Sequence, residues 1–443
     1  MVSHRKTLVS DDYFSPVPDE IAADDLPVVG TLPPQLSGLY LRNGPNPRIG
    51  SAPHFFAGDG MVHGVRLDAG EARWYRNRYV KSKRDGGIRG GGSSNTHVFA
   101  HAGRILSFVE SALPIELDRH LETVGPVDFG GVRTAFTAHG KIDPGTGELI
   151  AFGYQFASPH LTFYRIDLAG QVVECRVIDM IAPCYLHDFA MTEHYIVFFD
   201  TPALMFKEWG GGEVPFRWQE GRGTRIVVVP RQGGEERWFD VPACQLGHTA
   251  NAFERDGCIV VDGIRTDRFL ADMAADPPMF HRWEIDLTRG VVTERTLDRH
   301  PVEFPRVDER YSGLPYRYTY AVEFRDFGPA SPPQSSLLRC YDVETGTSIA
   351  KDFGVRYIPG EPVFVPKSSD AAENDGWVLS LRYDRELDRS DLVVLDATEF
   401  GGDPVAVVQL PRRVPFGFHG SWVAAISESA EQDDSKSKQN CPL

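Results

Sequence analysis

No C-x-x-C pair occurs anywhere in this sequence, and its six cysteines, Cys175, Cys184, Cys244, Cys258, Cys340 and Cys441, are scattered along the chain. That pattern excludes a zinc ribbon and a dense disulfide framework, and it fits a reducing compartment, the cytoplasm. Basic charge is also scarce: 46 Lys and Arg stand against 62 Asp and Glu, a formal net charge of −16. Phosphate binding needs a dense basic surface, so no nucleic acid partner is expected. No run of eighteen uncharged apolar residues is present, and the N-terminal stretch MVSHRKTLVSDDYFSPVPDE lacks an apolar core segment. Neither a spanning helix nor secretion is predicted. The glycine-rich GGIRGGGSSN at 86–95 has no Lys-Ser or Lys-Thr and no following helix, so it reads as a flexible loop and not as a phosphate cradle.

What the chain has in quantity is strands. Short β-branched or aromatic runs recur, among them GRILSFVE (103–110), HLTFYRID (160–167), HYIVFFD (194–200), TRIVVVP (224–230), GCIVVDGI (257–264), GWVLSLRYD (376–384) and DLVVLDA (391–397). Turn residues bound them, as in DPGTGEL, PRQGGEE, ERDGC and DVETGTS, which is the signature of antiparallel hairpins. An all-β domain of this size is too large for a simple sandwich. A β-propeller of about seven four-stranded blades closes it. Two apolar stretches, 201–220 and 267–283, interrupt the meander and are expected as short helical or loop insertions forming a dome. The predicted organisation is an N-terminal arm at 1–30, the propeller at 31–425 and a polar, disordered tail at 426–443.

Four of the fourteen histidines share an apolar setting at the edge of a strand-like run: His139 in TAFTAHGKID, His187 in CYLHDFAM, His248 in QLGHTANAF and His419 in PFGFHGSW. They are 48, 61 and 171 residues apart in succession. The first two intervals are near one blade length and the last near three, so each could fall on the inner strand of a different blade and face the axis. Four neutral imidazoles without thiolate or carboxylate suit Fe(II), Cu or Zn better than Mg or Ca. With iron, two of six positions would stay open, and oxygen chemistry becomes available.

The chain also resembles a known family. The motifs LSGLYLRNGPNP (36–47), HFFAGDGMVHG (54–64), TAHGKIDPGTGEL (138–149), LHDFAMTEHYIVFFD (186–200), GHTANAFE (247–254), GEPVFVP (360–366), DGWVLSLRYD (375–384) and FGFHGSW (416–422) run in order over nearly its whole length. They are similar to those of the carotenoid cleavage oxygenases, a group that includes apocarotenoid- and stilbene-cleaving enzymes and the vertebrate retinoid isomerase. The resemblance implies a seven-bladed propeller, one Fe2+ per chain held by His139, His187, His248 and His419, and cleavage of an alkene by O2 into two carbonyl products. It further implies three supporting carboxylates, Glu110 behind His187, Glu303 behind His248 and Glu361 behind His419, since a ligating imidazole needs its other N–H pinned. His54 and His63 flank GDGM, which in the family is structural, with Asp59 and Gly60 shaping a turn. Asp188 follows His187 and should point the opposite way, as a brace for the backbone or a neighbouring strand.

Two positions depart from relatives. Stilbene-cleaving members carry a lysine where this chain has Val109, and several relatives have a bulky aromatic where it has Gly247. An apolar group at 109 cannot stabilise a phenolate, so the expected substrate is an apolar polyene, a carotenoid or apocarotenoid, in a pocket of Val109, Phe136, Tyr185, Leu186, Phe253, Phe416 and Phe418. Cleavage of stilbenes or vinylphenols is the alternative within the fold, and a non-catalytic binding propeller is the alternative outside it. Leu204, Met205, Phe206, Trp209, Phe269, Leu270, Met279 and Phe280 are expected to offer an apolar patch for peripheral contact with a membrane.

Overall fold

The computed structural model describes residues 13–47, 58–81, 93–206, 216–269, 275–325 and 335–424. His54, Trp209, Leu270, most of the 86–95 loop and the 426–443 tail lie outside these residues. Among the described residues there is no α-helix; two short 3-10 turns, Glu309–Tyr311 and Ala397–Glu399, are the helical content.

The strands form antiparallel meanders whose burial grades from inside to outside. In the sheet Lys141–Ile142, Leu149–Tyr154, Leu161–Ile166 and Val172–Ile178, every residue of Leu149–Tyr154 is buried, because both faces are covered by neighbouring sheets. Val172–Ile178 alternates exposed with half-buried positions, as the edge strand of a sheet should. The hairpins turn as their sequences predict. In DPGTGEL the Asp143 carboxylate accepts from the N–H of Gly145 and Thr146, and Gly147 takes the left-handed φ of +71°. DVETGTS repeats the device with Asp342 and Gly346.

Six sheets of four to seven strands and one two-stranded hairpin are present among the described residues. Apolar clusters join each sheet to the next. One packs Phe99, Leu106 and Phe108 on Leu149, Ala151 and Tyr164; another packs Ile150, Phe152 and Phe163 on Ile196, Phe198 and Val227. A further cluster joins Val363, Leu379 and Leu392 near the end of the chain to Tyr40, Val65 and Tyr75 near its start. Early and late segments also meet in hydrogen bonds: Gly38–Pro45 pairs with Gly60–Asp68 on one side and with Gly420–Ala424 on the other. Ala22–Asp24 and Val28–Gly30, from the predicted arm, add strands to two of the sheets.

The described parts of the two stretches expected as short helical or loop insertions include strands. Ala203–Met205 pairs with Phe216–Trp218 as a hairpin, and Met279–Asp286 is a strand inside the seven-stranded sheet. Phe280 is buried against Tyr341, Leu204 and Met205 pack on an apolar core, and Arg217 lies over the Phe206 ring. The described members of the predicted apolar patch are therefore at least half-buried. The physical reason is that apolar runs such as PMFHRW alternate core-facing residues along a strand.

Candidate metal centre

Each of the four histidines sits at the start of an innermost strand. His139 precedes Lys141–Ile142, His187 precedes Ala190–Met191, His419 precedes Gly420–Ala424, and His248 lies in the first turns of Gln245–Arg255. Local contacts fix them. The His139 N–H donates to Thr137 Oγ1, and the His419 N–H to the Thr96 carbonyl. His248 occupies an irregular stretch where the pairing register shifts between Leu246 and Thr249, a bulge that re-aims the side chain.

The four rings converge. One nitrogen of each lies within 4.8 Å of the others, and the rings of His139 stand 4.4, 5.0 and 4.6 Å from those of His187, His248 and His419. Behind them are the three carboxylates. The Nδ1–H of His187 donates to Glu110 Oε1, that of His248 to Glu303 Oε2 at 2.5 Å, and that of His419 to Glu361 Oε1 at 2.8 Å. An ionised carboxylate at Nδ1 puts the proton there, so each Nε2 carries a lone pair. Those lone pairs meet: Nε2 of His187 and Nε2 of His248 are 2.9 Å apart, and the buried Nε2 of His139 has no hydrogen-bond partner. Facing lone pairs repel unless a cation lies between them. The donor set therefore fits a metal ion of the borderline class.

Electrostatics agree with that reading at His139 and His419. Burial first, and the neighbouring imidazoles second, hold His139 far below the ordinary histidine range; burial does the same for His419. Both are neutral donors. Burial also pushes His187 down, but Glu110 and the other carboxylates outweigh it, and the group ends raised. For Glu303 burial pushes up, while the charge and hydrogen bond of His248 bring it below the usual carboxylate value.

Asp188 turns away from the centre, as its position next to His187 predicts. Its carboxylate accepts from the Thr249 N–H at 2.8 Å and hydroxyl at 2.7 Å and pairs with Lys141 at 3.0 Å. Lys141, Asp188 and Thr249 adjoin three of the four histidines, so this buried cluster clamps three histidine-bearing segments together. His63 is also buried, with Nδ1 2.8 Å from the Tyr75 hydroxyl, and belongs to no group of metal donors among the described residues.

The predicted pocket residues divide. Tyr185 lies nearly parallel to His187, with ring centres 5.7 Å apart, and meets Phe216 edge-on and Phe269 at a tilt, each at 4.6 Å. Val109 is half-buried beside Glu110, and Phe416 packs with Tyr13, Phe14 and Phe304. Phe418 is buried, its N–H bonded to the Asn43 carbonyl. By contrast Phe136, Leu186 and Phe253 are buried in apolar clusters of the scaffold. Several neighbours of the centre escape sequence reading. Phe304 stacks on His248 at 5.6 Å and meets His419 edge-on at 5.2 Å. Its φ of +55° is an unusual conformation for an aromatic residue, a strain of about 1–3 kcal/mol held by the surrounding packing. Arg306 and Arg42 approach Glu361, and the Tyr154 hydroxyl donates to Glu110. Gly247 is explained as well: a Cβ there would stand 2.6 Å from Glu303 Oε1.

Antiparallel sheets carrying four convergent imidazoles, three of them backed by carboxylates, define a propeller-type scaffold with a histidine cluster that could hold a metal ion. Comparison with known proteins gives the family. The sequence pattern described as retinal pigment epithelial membrane protein matches residues 14–424. A carotenoid cleavage oxygenase of Mycobacterium tuberculosis is 36% identical, the match covering 93% of this chain and 96% of that one. Among solved structures, the lignostilbene dioxygenase of Pseudomonas brassicacearum superposes with a TM-score of 0.87 at 31% identity, over 95% of this chain and 99% of that one. The cobalt-substituted Synechocystis apocarotenoid oxygenase does so with 0.84 at 28%, over 93% and 98%. The chain belongs to the carotenoid cleavage oxygenase family. It is an oxygenase with the family's propeller fold.

Proposed function

We propose that the protein is a non-haem Fe(II) dioxygenase that cleaves a C=C bond of a carotenoid or apocarotenoid, adding one atom of O2 to each carbon to give two carbonyl products. The observation that carries this is the convergence of four imidazole nitrogens, three of them backed by Glu110, Glu303 and Glu361. His139, His187, His248 and His419 would hold one iron per chain. Ferrous iron there would supply O2 binding and redox chemistry, since four nitrogens leave two of its usual six positions free. The three glutamates keep Nδ1–H fixed and Nε2 aimed inward. Tyr185, Phe216, Phe269 and Phe304 form an aromatic surface next to the histidines that excludes water and receives an apolar chain.

Counting the seven-stranded sheet as two blades gives the seven-bladed reading, because the long strand Val291–Arg306 pairs with Met279–Asp286 in its first part and with Tyr318–Arg325 in its last. Likeness to the Pseudomonas lignostilbene dioxygenase favours a second substrate reading, a stilbene or vinylphenol. Val109 weighs against it, since loss of a charge-assisted hydrogen bond to a phenolic oxygen costs about 1.5–3 kcal/mol, roughly one to two orders of magnitude in binding or rate. Incubating iron-loaded protein with carotenoids, apocarotenals and hydroxystilbenes, and weighing the carbonyl products, tests both. Apocarotenal cleavage is expected; efficient cleavage of 4-hydroxystilbenes with none of any polyene overturns the substrate reading.

A cytoplasmic enzyme for such substrates would meet them at a bilayer. No helix among the described residues is long and apolar enough to cross a membrane. Peripheral contact finds support in Phe156, Val177 and Ile181, which are 41%, 52% and 72% exposed. They lie at the end of their sheet where Tyr154 reaches Glu110, because Tyr154 pairs with Leu161 and Leu161 with Ile178. Flotation with liposomes tests it: protein that stays at the bottom, with and without polyene, argues for a different route of delivery.

A further inference from the structure

The three supporting glutamates are not held alike. Glu303 accepts the N–H of Phe304 at 2.8 Å, and Glu361 the N–H of Gly420 at 2.7 Å, so the main chain fixes both carboxylates. Glu361 is also flanked by Arg306 and Arg42, at 3.3 and 3.5 Å. Glu110 has no such backbone donor among the described residues. Among the described residues, the one hydrogen bond to it apart from that of His187 comes from the Tyr154 hydroxyl, 3.1 Å from Oε2.

Tyr154 is well placed to aim that carboxylate. It ends the buried strand Leu149–Tyr154, and its ring is wedged between Phe152 at 6.1 Å and Phe216 at 6.4 Å. A ring so packed has little rotational freedom, and its hydroxyl therefore points in a fixed direction. Holding Oε2 leaves Oε1 free to take the His187 Nδ1–H. It also sets the plane of the carboxylate, and with it the angle of the imidazole.

We propose that Tyr154 is a positioning residue for the metal centre, acting through Glu110 to fix the direction of the His187 Nε2 lone pair. The inference rests on the four histidines binding a metal, and its test can fail independently of that reading. Cobalt(II) serves as the probe, added to the iron-free, full-length protein, with affinity read by titration and ligand geometry by the d–d absorption bands. Tyr154→Phe keeps the ring and its packing and removes only the hydroxyl. It should weaken cobalt binding roughly three- to tenfold, less than the ten- to hundredfold typical of losing a carboxylate that directly supports a ligand, and should shift the d–d bands.

A double-mutant cycle separates action through Glu110 from a general loss of packing. Tyr154→Phe should change neither affinity nor spectrum further once Glu110→Ala is in place. Wild-type affinity and bands in Tyr154→Phe, or an equal loss in the Glu110→Ala background, overturns the proposal while leaving the metal centre standing. A wild-type protein that binds no cobalt sinks the centre itself, and this proposal with it. If Tyr154→Phe fails to fold, Glu110→Gln serves in its place: it keeps a carbonyl acceptor for the tyrosine. Cobalt bands no closer to wild type than those of Glu110→Ala would then count against a positioning role for the Tyr154 bond.

Discussion

Two corners of the metal centre use the same pair of residue types and hold them by different means. At His419 and Glu361 the side chains are almost inaccessible, 6% and 1% exposed, and the carboxylate is gripped by a backbone N–H and two guanidinium groups. At His187 and Glu110 both side chains are 17% exposed, the glutamate's further support is a tyrosine hydroxyl, and the aromatic surface of Tyr185, Phe216 and Phe269 begins immediately beside the ring. The first corner is locked into the scaffold, and the second faces the aromatic surface proposed to receive substrate. A metal site built this way has a rigid reference ligand and a ligand whose aim depends on a few adjustable contacts.

The broadest test of that contrast removes the ligands themselves. His419→Ala and His187→Ala should each abolish alkene cleavage and most iron binding, measured as iron per chain after reconstitution. Wild-type occupancy in either variant would falsify the four-histidine assignment. A smaller and more discriminating effect concerns folding. Glu361→Gln leaves Arg306 and Arg42 without their shared buried countercharge, and should lower stability by about 3 kcal/mol. Glu110→Gln faces only a phenol and an imidazole, and should cost about 1 kcal/mol. Urea unfolding of the two metal-free variants reads the difference, and equal losses would erase the distinction between the corners. Between them falls Asp188→Asn, which weakens the clamp of Lys141 and Thr249. It should cost about 2 kcal/mol and loosen metal binding at three ligands together, visible as faster release of iron to a chelator.

The convergence of the four histidines was legible because each lies in a short local motif and the motifs keep their order along the chain. The carboxylate pairings were legible through family resemblance, although the partners are 77, 55 and 58 residues apart. Nearness in sequence misled where strand geometry intervenes. Leu186 adjoins His187 and so turns into the core, whereas Tyr185, two residues away, shares its side. Tyr154, Arg306 and Phe304 reach the centre from other sheets or from a strained backbone, and nothing in their own segments announces it. In the stretch beginning at residue 267, the apolar residues after Pro278 open a strand, Met279–Asp286, that was expected as part of an insertion.

The last strand, Gly420–Ala424, both seals the first sheet and delivers His419. A polypeptide released early from synthesis would thus own three imidazoles and an exposed edge on Gly38–Pro45. On the proposed reading, metal capture by all four imidazoles would need a chain in which Gly420–Ala424 has docked, and iron content would report on that docking.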